Sequence, residues 1–131
     1  MPTALIPEDD KVVVAIMSAM LERAGWTVLQ AESAAQALEQ SERHNGPIHL
    51  LIADVLLTEG NGGAVAMTLD EKRPQMACLF VSGYPLAELY RRALLEKRML
   101  ASRRRGFLQK PFTLRAFRDA IGRMTEQAAS A

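Results

Sequence analysis

A single cysteine, Cys78, is all the thiol chemistry the sequence contains. It cannot close an internal disulfide and has no ligand-spaced partner for a metal. A buried, inert thiol inside the apolar run Met76–Val81 is therefore expected. No apolar run approaches the roughly 20 residues that a membrane-spanning helix needs. The amino end, Met1 to Pro7, is too short for a signal peptide and lacks its basic start. A cytoplasmic protein without membrane contact is the expectation. Charge of one sign is scarce too: the formal net charge is +1, so no global field draws the chain to nucleic acid or membrane. No strand is followed by G-x-G-x-x-G or a Walker loop, which sets aside a nucleotide binder or a flavodoxin-like enzyme. No repeat or linker divides the 131 residues. One domain is expected over 1–131, with its core at about 3–124 and a frayed tail at 125–131.

What is present alternates. Ala4-Leu5-Ile6 is a short strand, cut by Pro7 and three acids. Val13, Ile16, Met17, Met20 and Ala24 recur at helical spacing up to Gly25. Trp26–Gln30 reads as a strand. Ser33-Ala-Ala-Gln36 is a capping-box pattern opening a helix that ends near Asn45-Gly46-Pro47. Ile48–Ala53 is a continuous apolar run, as in a strand covered on both faces, and it stops at Asp54. A loop over Glu59–Gly63 leads to a helix ending near Arg73-Pro74. Met76–Val81 is the next buried strand, and a long helical stretch is predicted from there to about Ser102. Gly106–Gln109 is the last strand. Thr113 then caps a helix with Leu114, Phe117, Ile121 and Met124 on one face. Five strand–helix alternations imply crossover connections, hence a parallel sheet with helices on both faces.

In such sheets the working groups sit beyond the carboxyl ends of the strands. Those ends carry Glu8, Asp9 and Asp10 on the first strand, Asp54 on the third, Ser82 on the fourth and Lys110 on the fifth. Two carboxylates about 4 Å apart repel by about 4 kcal/mol at an effective dielectric near 20. Such a cluster calls for a hard cation, and oxygen-only ligands suit Mg²⁺. A metal beside a carboxylate also neutralises an incoming phosphoryl group, while a lysine and a hydroxyl contact its oxygens. Taken singly, each group has an ordinary explanation: acids as helix-start charges, Asp as a cap, Ser-Gly as a turn, Lys-Pro as a loop. Their joint occurrence in this order is what carries information.

Glu8-Asp9-Asp10, Leu50-Leu-Ile-Ala-Asp54-Val-Leu-Leu, Phe80-Val-Ser82-Gly-Tyr and Phe107-Leu-Gln-Lys110-Pro-Phe resemble the successive signatures of response regulator receiver domains, the phospho-acceptors of two-component signalling. The last two are similar to receivers of hybrid sensor kinases, though such domains also stand alone. The resemblance implies a flavodoxin-like (βα)5 doubly wound fold, a five-stranded parallel sheet in the order 2-1-3-4-5. It implies Asp54 as phospho-acceptor, and Mg²⁺ held by Glu8, Asp9, Asp54 and the Leu56 carbonyl. Lys110 would contact the phosphate, Ser82 and Phe107 would be the switch pair, and Asp10 would stand behind the metal ligands. A histidine kinase or histidine phosphotransfer domain would be the donor. The chain would catalyse its own phosphorylation and dephosphorylation rather than act as a conventional enzyme.

There are departures. Thr58 stands where the family usually has proline, so a less rigid loop is expected. Pro7 is expected to shorten the first strand on its edge side. Leu56 offers no polar side chain to position a hydrolytic water, which leans toward a longer-lived phosphoryl group. The output surface implied is the fourth helix, fifth strand and fifth helix, switched for partner binding. Between Tyr84 and Gly106 lie Arg91, Arg92, Lys97, Arg98, Arg103, Arg104 and Arg105 against Glu88 and Glu96. Leu86, Leu89, Tyr90, Ala93 and Leu94 would pack inward. An acidic protein partner fits better than DNA, because neither a helix-turn-helix nor an aromatic platform accompanies the charge. The alternative is a degenerate receiver, an interaction module independent of phosphorylation.

Overall fold

The computed structural model describes residues 2–125. Five parallel strands, β1 (Thr3–Pro7), β2 (Thr27–Ala31), β3 (Leu50–Asp54), β4 (Ala77–Ser82) and β5 (Arg105–Gln109), form one sheet in the order β2-β1-β3-β4-β5. The helices between them are α1 (Lys11–Arg23), α2 (Ala34–Arg43), α3 (Gly62–Lys72), α4 (Leu86–Arg91) and α5 (Leu114–Met124), with a 3₁₀ turn over Lys97–Leu100. The expected fold class and strand order are both found.

Strand alternation splits the core in two. Leu5, Leu51, Ala53, Cys78 and Phe80 face α2, α3 and α4, while Ala4, Ile6, Leu50, Ile52, Leu79 and Val81 face α1 and α5. Burial raises the Cys78 thiol far above its ordinary pKa, so it stays protonated as expected. Residues near the carboxyl end of β3 meet β4 at Asp54↔Val81, and β4 meets β5 at Ser82↔Gln109. That register sets Asp54, Ser82 and Lys110 on one rim.

Caps start the helices where the sequence has them. Asp10 Oδ1 accepts from the N–H groups of Val12 and Val13, at 3.0 and 3.3 Å. Ser33 Oγ accepts from Gln36 N, but the Gln36 side chain returns to Glu32 N rather than to Ser33, so the box closes one residue early. Thr113 Oγ1 accepts from Ala116 N at 3.0 Å.

Four expectations need correction. The helix after β4 ends at Arg91 rather than near Ser102. Ala93 has a φ of 58°, and Leu94 N donates to Leu89 O while Ala93 N donates to Tyr90 O, which closes the helix in a Schellman motif. Consequently Ala93 is exposed, and Leu95 is the residue that turns inward, 1% exposed. Pro7 lies within β1 instead of cutting it short, and β1 is not an edge strand: even-numbered residues of β1 bond β2, and odd ones, Pro7 included, face β3. The missing N–H therefore costs pairing with β3, which stops at Leu5↔Leu51, while pairing with β2 continues to Pro7↔Ala31. On α5, Leu114 lies outside the apolar face and is exposed, and Ala120 takes its place beside Phe117 and Ile121. Thr125, assigned to the tail, is buried and donates through Oγ1 to Ile121 O; the rest of that tail, 126–131, lies outside the described residues.

Candidate functional site

Where β1 turns into α1, three successive acids are sent to three different places. Glu8, 2% exposed, turns in toward the sheet end. Asp9 reaches across to the loop after β3, and Asp10 caps α1. Asp10 thus caps α1 through its side chain, while its backbone N–H donates to Glu8 Oε2 at 3.5 Å. One oxygen from each of Glu8, Asp9 and Asp54 falls within 4.8 Å of the others.

Lys110, just past β5, joins this cluster. Its Nζ donates to Glu8 Oε1 at 2.9 Å and to Asp54 Oδ2 at 2.8 Å. The backbone N–H of Lys110 donates to Ser82 O at 2.7 Å, which fixes the lysine against β4. Burial, and then contact with Asp54, push the Glu8 carboxyl up to about 7, against the opposing pull of Lys110. For Lys110, burial works against the charged form, but the hydrogen bonds to Asp54 and Glu8 outweigh it and raise its pKa. One ammonium therefore shares two carboxylates. Three hard oxygen donors around one point, all carboxylate and none sulfur or nitrogen, fit Mg²⁺ by their chemistry.

The loop between β3 and α3 shapes the rim. Asp54 Oδ1 accepts from Leu56 N at 3.1 Å, and Gly62 N donates to Val55 O. A Cβ at Gly62 would lie 2.2 Å from Asp54 O, so only glycine lets α3 start this close to the end of β3. Sequence reasoning did not single out Gly62. It also missed that Thr58 donates to Asp9 Oδ2 twice, through its N–H at 2.6 Å and through its hydroxyl. The hydroxyl, and then the N–H, hold the Asp9 carboxyl below its usual range. Instead of being loosened by the absence of proline, the loop is tied to the turn between β1 and α1, and Glu59 O further accepts from Ala34 N.

The remaining sequence candidates lie near this cluster. Ser82 is 1% exposed, and its Oγ accepts from Tyr84 N at 3.1 Å. Phe107 is half-buried on β5, three residues before Lys110, and packs with the core under α4. The cationic stretch is less free than its sequence implies. Arg91 and Arg92 both engage Glu88, holding that carboxyl down to about 2. Arg98 pairs with Glu96, and Arg105 is drawn in to Asp70 and Met76 O. Among the described residues Lys97, Arg103 and Arg104 have no acidic partner. No helix among the described residues is long and apolar enough to cross a membrane.

Comparison with known proteins bears on the family and the fold. The family model described as the response regulator receiver domain matches residues 4–122. The sensor kinase CckA of Brucella abortus is 31% identical over 125 residues, which are 95% of this chain and 13% of that protein. The response regulator receiver protein CpdR of the same organism is 28% identical over 95% of this chain and 97% of its own length. The chain therefore spans a small part of one relative and nearly all of the other. Among solved structures, a sensor protein from Polaromonas sp. JS666 superposes with a TM-score of 0.78 at 26% identity, covering 96% of this chain and 97% of that one. A response regulator receiver protein from Sinorhizobium medicae gives 0.79 at 22% identity, over 95% and 94%; it bears on the fold alone.

Proposed function

The chain belongs to the response regulator receiver family of two-component signalling, and from that premise we propose that it accepts a phosphoryl group on Asp54 from a phosphohistidine donor. The observation that carries this reading is the meeting of Glu8, Asp9 and Asp54 at one point, with Lys110 Nζ bonded to two of them. In the transfer, the donor's P–N bond breaks with its electron pair left on the imidazole, and a P–O bond forms to an Asp54 carboxylate oxygen. Glu8, Asp9, Asp54 and the Leu56 carbonyl would hold Mg²⁺, which would neutralise charge on the incoming group. Lys110, whose Nζ bonds Asp54 Oδ2, would exchange that contact for one with a phosphoryl oxygen, keeping the ammonium paired throughout. Ser82 and Phe107 would pass the change to α4, β5 and α5. Lys97, Arg103 and Arg104, the cations without an acidic partner among the described residues, would meet an acidic protein surface there.

The test is labelling with a small-molecule phosphodonor. Wild-type protein should be labelled in Mg²⁺ and not in excess chelator, and Asp54→Asn should not be labelled at all. Full labelling of Asp54→Asn would overturn the assignment. Absence of labelling from wild type as well would leave a phosphorylation-independent interaction module.

A further inference from the structure

Thr58 makes a contact for which the proposed chemistry has as yet no use. Its N–H and its hydroxyl both end on the same oxygen, Asp9 Oδ2, from a position 49 residues away in sequence. Thr58 is exposed, as is its neighbour Glu59, so neither packing nor burial explains why this side chain is turned toward Asp9. The loop has other anchors: Leu57 is buried, Glu59 O takes Ala34 N, and Gly62 N reaches Val55 O. The Thr58 contact is not needed merely to close it.

We propose that Thr58 is a positioning residue for the cation site, holding the Asp9 carboxylate in the orientation in which it meets Glu8 and Asp54. This rests on the reading of that site as one for Mg²⁺. An aspartate at a strand end has two free side-chain torsions, and a cation must freeze both on binding. Two donors on Oδ2 freeze them beforehand and leave Oδ1 with neither of its oxygen's lone pairs taken by Thr58. The same residue lies two positions beyond Leu56, so it also fixes the loop bearing the proposed carbonyl ligand relative to the loop bearing Asp9. A proline at this position would have neither donor. Preorganisation of this kind raises affinity by removing an ordering cost, without adding a ligand.

The experiment is Mg²⁺ titration by calorimetry on the full chain, comparing wild type, Thr58→Val and Thr58→Ser, with Glu8→Gln as a reference for loss of a ligand. Valine keeps the branched shape and the N–H but removes the hydroxyl; serine keeps both donors. Thr58→Val should bind Mg²⁺ roughly threefold to tenfold more weakly, the scale of one lost hydrogen bond, and Thr58→Ser should stay within about twofold of wild type. Thermal unfolding in chelator should be alike in all three, which separates positioning from a general loss of fold. Equal or tighter binding by Thr58→Val overturns the proposal, as does failure of serine to restore it. Wild type that binds no Mg²⁺ would instead overturn the site reading itself, and this inference with it.

Discussion

Glu8 is the residue at which charge and burial conflict most. Its pKa is about 7 in the folded protein against an ordinary 4.5. Below pH 4.5 it is protonated folded or unfolded and adds no pH dependence. Between 4.5 and about 7 the unfolded chain gives up its proton while the folded one keeps it, so stability falls as pH rises. Above 7 the folded protein bears the whole cost of a buried charge. The metal-free protein should therefore lose stability from pH 5 to pH 8, and Glu8→Gln should flatten that loss. Thermal unfolding in chelator at the two pH values measures it, and identical pH dependence in wild type and variant would rule out Glu8 as the cause. The residues alone marked Glu8, Asp9 and Asp10 as a group, and only the family resemblance set Asp10 apart from the other two. That division arises where an extended strand becomes a helix and successive side chains diverge, one to Lys110, one to Thr58 and one to the α1 amides.

At the scale of elements, apolar periodicity and caps located every strand and four of the five helices to within a few residues. They failed on α4, and the reason is Ala93. Alanine is the strongest helix former, so nothing in Leu86–Leu100 signals a stop. The helix nevertheless closes there because Leu95 must bury against the core beside Gly63, 3.3 Å from a Cβ placed on that glycine. Alanine at φ 58° occupies a conformation that glycine adopts without steric cost. Ala93→Gly should accordingly stabilise the protein by about 0.5–1 kcal/mol, after the extra freedom of glycine in the unfolded chain is subtracted. A urea midpoint that rises at unchanged slope would agree; a fall would mean that Ala93 makes contacts worth more than its strain. Pro7 and Leu114 were misjudged for a related reason. Which neighbour a strand's N–H faces, and which turn of a helix projects past the sheet, are set by tertiary placement that composition does not encode.

Across the whole molecule, the site and the candidate output surface share one covalent path. Ser82 ends β4 inside the rim, Tyr84 bonds back to its Oγ, and α4 begins two residues later at Leu86. Leu89 and Leu95 anchor that segment to the same core cluster against which Phe107 packs. On the proposed reading, a movement of Ser82 toward a phosphorylated Asp54 would pull directly on α4 and repack the apolar floor beneath it. The Ser82 hydroxyl can donate to a phosphoryl oxygen while still accepting from Tyr84 N, so the new bond need not break the old one. A hydrogen bond to a charged group contributes about 1.5–3 kcal/mol, enough to shift a two-state equilibrium roughly ten- to a hundredfold. Contact between Lys110 and the phosphoryl group cannot supply this bias alone, because the lysine is already paired on both sides before transfer. Ser82→Ala should then accept the phosphoryl group on Asp54 yet fail to respond. Amide hydrogen exchange over 84–107, compared between phosphorylated and unphosphorylated protein, should change in wild type and stay nearly constant in the variant. The same change in both would show that the relay bypasses Ser82, leaving the Gly62–Gly63 contact between the Asp54 backbone and Leu94–Leu95 as the route.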